Sequence, residues 1–203
     1  DIYQDEYEGW YSISEERFIT EKEVESGLFG EVKKIKEKNY FFRMSKYQSE
    51  LIEKITSDEL SIQPKSRKNE VLGFLKNDLS DLCISRPKSR LEWGIEIPFD
   101  KDYVTYVWFD ALINYISAPK YSEDNKIFDS HWPADVHLIG KDILTTHSVY
   151  WPTMLMSLNI PLPKAIFAHG WWLTDEKKMS KSLGNIVNPL MLIDEFGVDA
   201  VRY

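Results

Sequence analysis

The sequence is poor in cysteine, in long apolar segments and in positive charge. Cys83 is the one cysteine among 203 residues, which excludes an internal disulfide and a zinc site built from several cysteines. No segment approaches the ~20 apolar residues that cross a bilayer, so we expect no membrane partner. The formal net charge of -8 argues against bulk electrostatic wrapping of nucleic acid. We therefore expect no DNA partner, and only local contact with any RNA.

The two ends of the sequence and its lone thiol bear on where the protein works. The start at Asp1 does not resemble a signal peptide. Cys83 lies between Leu82 and Ile84, which predicts a packed, unreactive thiol in a reducing compartment, the cytoplasm or an organellar matrix. The chain starts without Met and ends at Tyr203 in what reads as the first turns of a helix. These ends lead us to expect a fragment of a longer protein.

One basic stretch, residues 177–185, has the composition of a phosphate clamp, and we call it the lysine loop. Lys178 and Lys181 are three residues apart, Ser180 and Ser182 follow them in turn, and Gly184 leaves the backbone free. Ammonium groups act as point charges toward phosphate oxygens, and hydroxyls add neutral donors. A solvated basic loop is the alternative, because short motifs match by accident.

The first 99 residues predict a small α+β unit. Its helices are expected at 46–56, with Ser45 and Gln48 as a capping box, and at 64–77. We read the basic start of the second helix as a solvated face, with RNA contact as the alternative. The expected strands, with an exposed charged connection over 21–39, are 10–13, 17–20, 40–44 and, half-buried, 91–97.

The pattern changes near residue 100, where we place a domain boundary. A continuous apolar and aromatic run at 103–109 predicts a strand covered on both faces. Asp110 is positioned to cap a following helix, and 120–130 reads as a polar loop.

Residues 135–168 predict a parallel strand, helix, strand unit. Strands are expected at 135–139 and 165–168, with a helix over 143–158 between them. Ligands bind at the carboxyl ends of such strands, where Gly140 and Gly170 lie, and the lysine loop follows the second strand. Asn188 and Pro189 then open a helix that runs through Phe196 and stops at Gly197.

Aromatic side chains surround a histidine near the same strand ends. His147 and Trp151 are four residues apart on the predicted helix. Together with the aromatic and small residues named at the end of this paragraph, they could line a pocket for a small apolar side chain. Packing in the protein core is the alternative. We interpret His137, within a strand, as structural. The other candidate lining residues are Trp108, Ala111, Tyr115 and Tyr150.

These motifs resemble one known family. Lys178-Met179-Ser180-Lys181-Ser182 matches the signature loop of class I aminoacyl-tRNA synthetases. Residues 107–115, 139–144 and 147–152 resemble the methionyl-tRNA synthetases, and residues 7–12 and 39–45 resemble their connective insertion. The resemblance implies an α/β fold: the second half of a Rossmann-like parallel-sheet nucleotide-binding fold, with a smaller α+β connective insertion domain. It divides the chain into the insertion (1–99), the half-fold (100–175) and the lysine loop with the start of a helical region (176–203).

The resemblance also implies an activity. Such an enzyme joins methionine to ATP, forms methionyl-adenylate and passes the methionyl group to tRNA(Met). ATP would bring Mg²⁺, and no structural zinc is expected. The implied methionine-binding residues are Trp108, Ala111, Tyr115, His147, Tyr150 and Trp151. The implied ATP-binding residues are Gly140, Asp142, His169, Gly170, Lys178, Met179, Ser180, Lys181 and Ser182, of which Lys178, Ser180 and Lys181 would be catalytic.

The chain departs from the family pattern in four places, two of which are the absence of the anticodon-reading helical bundle after the lysine loop and of the zinc knuckles of some relatives. It has no His-x-Gly-His signature, so we expect these 203 residues alone to be inactive. Thr146 replaces the aromatic residue that relatives commonly carry beside the pocket histidine. The synthetases for leucine, isoleucine, valine and cysteine are the nearest rivals, and a non-catalytic tRNA-binding or scaffold module is the alternative from another class.

Overall fold

A long antiparallel ribbon dominates the first part of the chain. The computed structural model describes residues 1–12, 17–19, 21–25, 27, 30–171, 173–174, 177–179, 184 and 186–202. Strand β1 (Ile2–Ser12) pairs with β2 (Arg17–Ile19) and, over its whole length, with β3 (Val32–Phe42). A short helix, α1 (Glu21–Glu25), precedes β3.

The exposed connection predicted over 21–39 is therefore wrong, because most of β3 lies inside it. The charges that suggested a loop are paired across the ribbon: Lys34 Nζ lies 3.0 Å from a Glu8 carboxylate oxygen, and Lys36 Nζ lies 2.9 Å from one of Glu6. Opposite charges on facing strands stabilise such a ribbon modestly.

Two helices follow the ribbon where the periodicity placed them. A 3₁₀ turn at Met44–Tyr47 leads into α2 (Gln48–Thr56), and strand β4 (Ser61–Gln63) precedes α3 (Lys65–Phe74). The predicted capping box is wrong: the Gln48 amide instead donates to the carbonyls of Leu75 and Asn77 and accepts from the Leu79 N–H. The basic start of α3 contacts acidic side chains, Arg67 with Glu70 and Lys68 with Asp58, as expected of a solvated face.

A small antiparallel sheet comes next. Strand β5 (Leu82–Cys83) pairs with β3, and β8 (Asp100–Thr105) lies between β6 (Ser85–Pro87) and β7 (Glu96–Ile97). The strand predicted over 91–97 shrinks to β7. The strand predicted over 103–109 is wrong at its end, because helix α4 (Val107–Ala111) begins there.

Two predictions for the segments after β8 are wrong: the helix cap at Asp110 and the polar loop at 120–130. Asp110 lies inside α4, where Tyr106 is the N-cap residue. After α5 (Asn114–Ser117), the predicted polar loop contains α6 (Asn125–His131). The Asp124 carboxylate caps α6 by accepting from the N–H groups of Lys126 and Ile127.

The parallel strand, helix, strand unit is confirmed. Strands β9 (Val136–Gly140) and β10 (Ala165–His169) pair in parallel. They are joined by a 3₁₀ turn, a π-helical turn (Thr146–Tyr150) and α7 (Trp151–Ser157). Strand β4 adds to the other side of β10, giving the order β4, β10, β9.

The predicted boundary near residue 100 does not separate the sheets. Strand β4 belongs to the range expected for the insertion, yet it extends the parallel sheet, and β6 and β7 pair with β8 across the boundary. One apolar core likewise joins the two ranges, since Leu51 and Ile62 cluster with Trp151 and Ile166. The division into three domains stays a prediction.

The last described elements follow β10. Strands β11 (Leu173–Thr174) and β12 (Lys177–Lys178) form an antiparallel hairpin, and helices α8 (Pro189–Phe196) and α9 (Val198–Arg202) come after it. The Asn188 carboxamide oxygen caps α8, and Gly197 ends it with φ of 82°, which confirms that helix. None of the helices in the described part of the chain is long and apolar enough to cross a bilayer.

Candidate active site

The predicted nucleotide-binding residues meet at the carboxyl edge of the parallel sheet. In the register of β9 and β10, Gly140 lies beside His169. A side-chain carbon on Gly140 would lie 4.0 Å from both Asp142 Oδ2 and His169 Cε1. Around Gly170 the described residues leave 4 Å of open space. This edge therefore presents the exposed carboxylate of Asp142 beside two glycines, Gly140 and Gly170, which leave the backbone there without a side chain.

The lysine loop starts next to this edge. Trp171 Nε1 donates to Asp142 Oδ2 at 2.5 Å, and Lys141 Nζ lies 3.6 Å from the centroid of the Trp171 ring. Two residues further on, Leu173 pairs with Lys178 in the hairpin. Gly184 has φ of +66°, the left-handed conformation that suits glycine. The three other predicted loop residues, Ser180, Lys181 and Ser182, lie outside the described residues, and Met179 is half-buried.

Four of the six predicted methionine-pocket side chains form one aromatic cluster around His147. The Tyr115 hydroxyl lies 3.0 Å from His147 Nε2, and the Trp108 ring stands edge-on at 6.4 Å between centroids. Tyr115 also contacts Trp151 at 5.9 Å. Trp151 is fully buried, whereas Trp108 and Tyr115 are half-buried. The cluster therefore has a buried end at Trp151 and a partly exposed end at Trp108 and Tyr115, and its interpretation as a methionine pocket stays a prediction.

Ala111 and Tyr150 are the other two predicted methionine-pocket residues. Ala111 is the last residue of α4, on the same helix as Trp108. Tyr150 ends the π-helical turn and lines a separate cavity of about 250 Å³ together with Met44, Phe74 and Leu82. Thr146, on the same turn, is 9% exposed. π-helical turns are frequent at functional sites, which fits the position of His147 on this one.

His137 and Trp132 belong to the cluster, although the sequence singled out neither as part of it. The His137 ring lies 4.2 Å from that of Tyr115 and 6.0 Å from that of Trp132. Its position on β9 carried a usable signal, because alternate residues of that strand face the core. The interpretation of His137 as structural agrees with its burial.

Hydrogen bonds and burial together favour the neutral form of both histidines. His147 Nδ1 donates to the Ile143 carbonyl at 3.0 Å, and in the neutral ring Nε2 then accepts from Tyr115. His137 Nε2 accepts from Trp151 Nε1 at 3.2 Å, which places its proton on Nδ1. Burial lowers the pKa of His147, and burial together with the charge of His147 lowers the pKa of His137 to about 4. Burial raises the pKa of Tyr115.

We expect acid to destabilise the fold through His137. The unfolded chain takes up a proton near pH 6.5, whereas the folded imidazole resists protonation down to about pH 4. The free energy of unfolding should therefore fall by about 3 kcal/mol as the pH drops through this window. Urea unfolding between pH 7 and pH 4 measures it. His137→Gln keeps an acceptor for Trp151 and should show a shallower slope; parallel curves for the two proteins would contradict the prediction.

A series of polar contacts connects the ribbon to the segment before Trp108. Arg90 Nη2 lies 2.9 Å from Glu37 Oε2, an ion pair without an aligned hydrogen bond. Glu37 accepts from Asn39 Nδ2 at 2.7 Å, and the Ser85 hydroxyl donates to Asn39 Oδ1 at 2.8 Å. Next along the chain, Arg86 packs its guanidinium over the Tyr106 ring at 4.7 Å. The segment before Trp108 is thus fixed by β3.

Cys83 lies beside this series of polar contacts. Its thiol is half-buried, and burial raises its pKa. A raised pKa keeps a thiol protonated and weakly nucleophilic, as the sequence predicted.

Comparison with known families places this architecture. The family model described as tRNA synthetases class I (M) matches residues 23–203. The chain belongs to this family. Among curated relatives of this class I (M) family, the methionine–tRNA ligase of Clostridium acetobutylicum is 54% identical and that of Rickettsia conorii 49% identical. Each match covers 100% of this chain, but 32% and 40% of the relative.

Solved structures of methionyl-tRNA synthetases resemble this chain along its whole length. Mycobacterium tuberculosis methionyl-tRNA synthetase bound by methionyl-adenylate has 45% sequence identity and a TM-score of 0.87, over 100% of this chain and 41% of that one. Its free-state structure has a TM-score of 0.85. The fold is therefore the α/β, Rossmann-like fold of this family, and the chain spans about a third of the length of its first curated relatives.

Proposed function

We propose that the chain supplies part of the active site of a methionine–tRNA ligase, which activates methionine with ATP and transfers it to tRNA(Met). The observation that carries the proposal is the adjacency of two sites. The carboxylate of Asp142 and the start of the lysine loop share one sheet edge, and the cluster around His147 belongs to the helical segment that follows the same edge. The names of the relatives supply the substrates.

The sheet edge suits the nucleotide. Ribose hydroxyls can donate to the exposed Asp142 carboxylate. Trp171 already holds one oxygen of that carboxylate in place. Because Gly140 and Gly170 lack side chains, a ring or ribose can approach the backbone there. We assign ATP binding to Gly140, Asp142, His169 and Gly170.

The lysine loop suits the phosphates. When the methionine carboxylate attacks the α-phosphorus, negative charge builds on the departing pyrophosphate, and ammonium groups nearby stabilise it. We assign this role to Lys178 and Lys181, with Ser180, Ser182 and Met179 as further contacts. In the described part of the chain no three His, Cys, Asp or Glu side chains group closely enough for a metal ion. Mg²⁺ would be held mainly by the ATP phosphates.

The aromatic cluster suits a thioether. Sulfur packs favourably against aromatic rings, and the open end of the cluster presents Trp108 and Tyr115. A neutral His147 held by Tyr115 adds no charge to the site, which favours an uncharged side chain over an acidic or basic one. We assign methionine binding to Trp108, Ala111, Tyr115 and His147, backed by the buried Trp151. Tyr150 remains a candidate from the second cavity. The single reduced cysteine fits a cytoplasmic enzyme.

Methionine-dependent exchange of pyrophosphate into ATP tests this function. We expect exchange when this chain replaces the corresponding third of the Clostridium acetobutylicum relative, and we expect none from the 203 residues alone. Leucine in place of methionine is the control, and a melting curve checks that the chimera folds. A folded chimera without exchange would refute the proposed function; exchange by the chain alone would refute its dependence on the rest of the enzyme.

A further inference from the structure

One tryptophan contacts the carboxylate that we assign to the ribose. Trp171 comes two residues after the end of β10 at His169, and Asp142 comes two residues after the end of β9 at Gly140. The parallel register sets Gly140 beside His169, so both side chains start from the same sheet edge. Trp171 Nε1 donates to Asp142 Oδ2 at 2.5 Å across 29 positions of sequence. No assignment above gives Trp171 a part in substrate specificity.

The bond from the indole selects one orientation of this carboxylate. Asp142 is exposed, and an exposed side chain exchanges among several rotamers unless a contact favours one of them. In the observed orientation Oδ2 lies 4.0 Å from the point that a side-chain carbon on Gly140 would occupy, so the carboxylate stays close to the glycine backbone. A carboxylate can accept about four hydrogen bonds. The bond from Trp171 is therefore compatible with further bonds from ribose hydroxyls.

The indole is itself held in place by the residue before Asp142. Lys141 Nζ lies 3.6 Å from the centroid of the Trp171 ring, and a cation over an indole face is attracted by the ring. Lys141 and Asp142 are adjacent in the 3₁₀ turn Lys141–Ile143 that follows β9. One turn thus contacts the indole twice, with an ammonium group on its face and a carboxylate at its N–H. These two contacts fix an otherwise exposed ring, 43% of whose residue surface faces solvent.

We propose that Trp171 is a positioning residue for nucleotide recognition, whose N–H orients the Asp142 carboxylate toward the ribose hydroxyls of ATP. The inference rests on the proposed function, which assigns the ribose to Asp142. Trp171 acts through this carboxylate and takes no part in the chemical step. Its contribution therefore depends on the hydroxyl groups of the nucleotide, and it strengthens the preference of the site for a ribonucleotide over one that lacks those groups.

Kinetics of the full-length enzyme with ATP and with 2′,3′-dideoxy-ATP test the proposal. Trp171→Phe keeps a ring face for Lys141 and removes the donor to Asp142. It should raise KM for ATP about ten-fold, as expected when one hydrogen bond to a charged group is weakened. KM for 2′,3′-dideoxy-ATP should be the same in parent and variant, because that nucleotide has no hydroxyl for the carboxylate to receive. The rate at saturating ATP, KM for methionine and the melting temperature should stay at parent values.

Two further variants serve as controls. Trp93→Phe makes the same change at an indole that is 79% exposed and has no assigned role, so KM for ATP should stay at the parent value. In an Asp142→Ala background, Trp171→Phe should have no additional effect on KM for ATP, because a residue that acts only through Asp142 has nothing left to position.

Each other outcome overturns the proposal in a distinct way. An equal rise in KM for both nucleotides would mean that the ring of Trp171 contacts another part of the nucleotide. A lower KM for ATP would mean that the indole competes with the ribose for Asp142, and an unchanged KM would leave the bond without effect on binding. Equal KM values of the parent enzyme for the two nucleotides would refute the ribose assignment itself. Absence of methionine-dependent exchange in the parent enzyme would instead refute the proposed function.

Discussion

Lys181→Ala, introduced into the full-length enzyme, is expected to slow formation of methionyl-adenylate by about 100-fold or more. The reason is electrostatic: one ammonium group that neutralises charge on the departing pyrophosphate is lost, and removal of a single transition-state donor typically has this size. Rapid-mixing kinetics with methionine and ATP measure the rate directly. The affinity for methionine should change little, since we assign the amino acid to the aromatic cluster and the phosphates to the lysine loop.

Lys164→Ala is the matched control for this prediction. Lys164 pairs with Asp135 at 2.6 Å, and these two residues precede β10 and β9. They lie at the amino ends of the same strands whose carboxyl ends carry the proposed nucleotide site. Loss of an exposed ion pair there should leave the rate near the parent value. Adenylate formation at the parent rate by Lys181→Ala, or an equal loss in both variants, would refute the role assigned to Lys181.

The sequence predicted those parts of the fold whose signal is local. Strands β9 and β10 are short apolar segments with a helical segment between them, so the pattern defines both the strands and their parallel connection. Helix α8 carries its own start and stop in Asn188 and Gly197. Because ligands bind where parallel strands end, the same pattern predicts Gly140 and Gly170 as binding positions.

The parts that the sequence missed depend on distant partners. Strand β3 reads as a charged connection, because the carboxylates that pair with its lysines lie on β1, about 26 to 30 positions away in sequence. Strand β4 has three residues and pairs with β10, about 100 positions away. The apolar run at 103–109 contains both the end of β8 and the start of α4, and periodicity alone does not separate a strand from a helix in so short a run.

The candidate site likewise contains residues that the local sequence predicts as a group and residues that it does not. His147 and Trp151 were predicted as a group, because a helix places residues four positions apart on one face. The contribution of Trp132 was not, because it comes from the segment before β9, and the alternation along β9 indicated only that His137 faces the core. Trp151 is a supporting wall and not an exposed contact, because its buried indole packs against the rings of Tyr115 and Trp132.

Trp151→Ala is therefore expected to have the largest effect on stability. The side chain is fully buried, and truncation of such an indole to alanine costs about 3–5 kcal/mol through lost burial and the cavity left behind. It also removes the donor to His137 Nε2, and an unpaired buried acceptor adds about 1–3 kcal/mol. Urea unfolding at pH 7 measures the total. In the full-length enzyme, KM for methionine should rise as well, because Tyr115 loses its support.

Two further variants separate the contributions of packing and hydrogen bonding. Trp151→Phe keeps an aromatic ring against Tyr115 but leaves His137 Nε2 without its donor, so its loss of stability should be the smaller one. Leu158→Ala, just after α7 and 46% exposed, should cost less than about 0.5 kcal/mol. If Trp151→Ala proved as mild as Leu158→Ala, the cluster would not be the rigid back wall on which the methionine site depends.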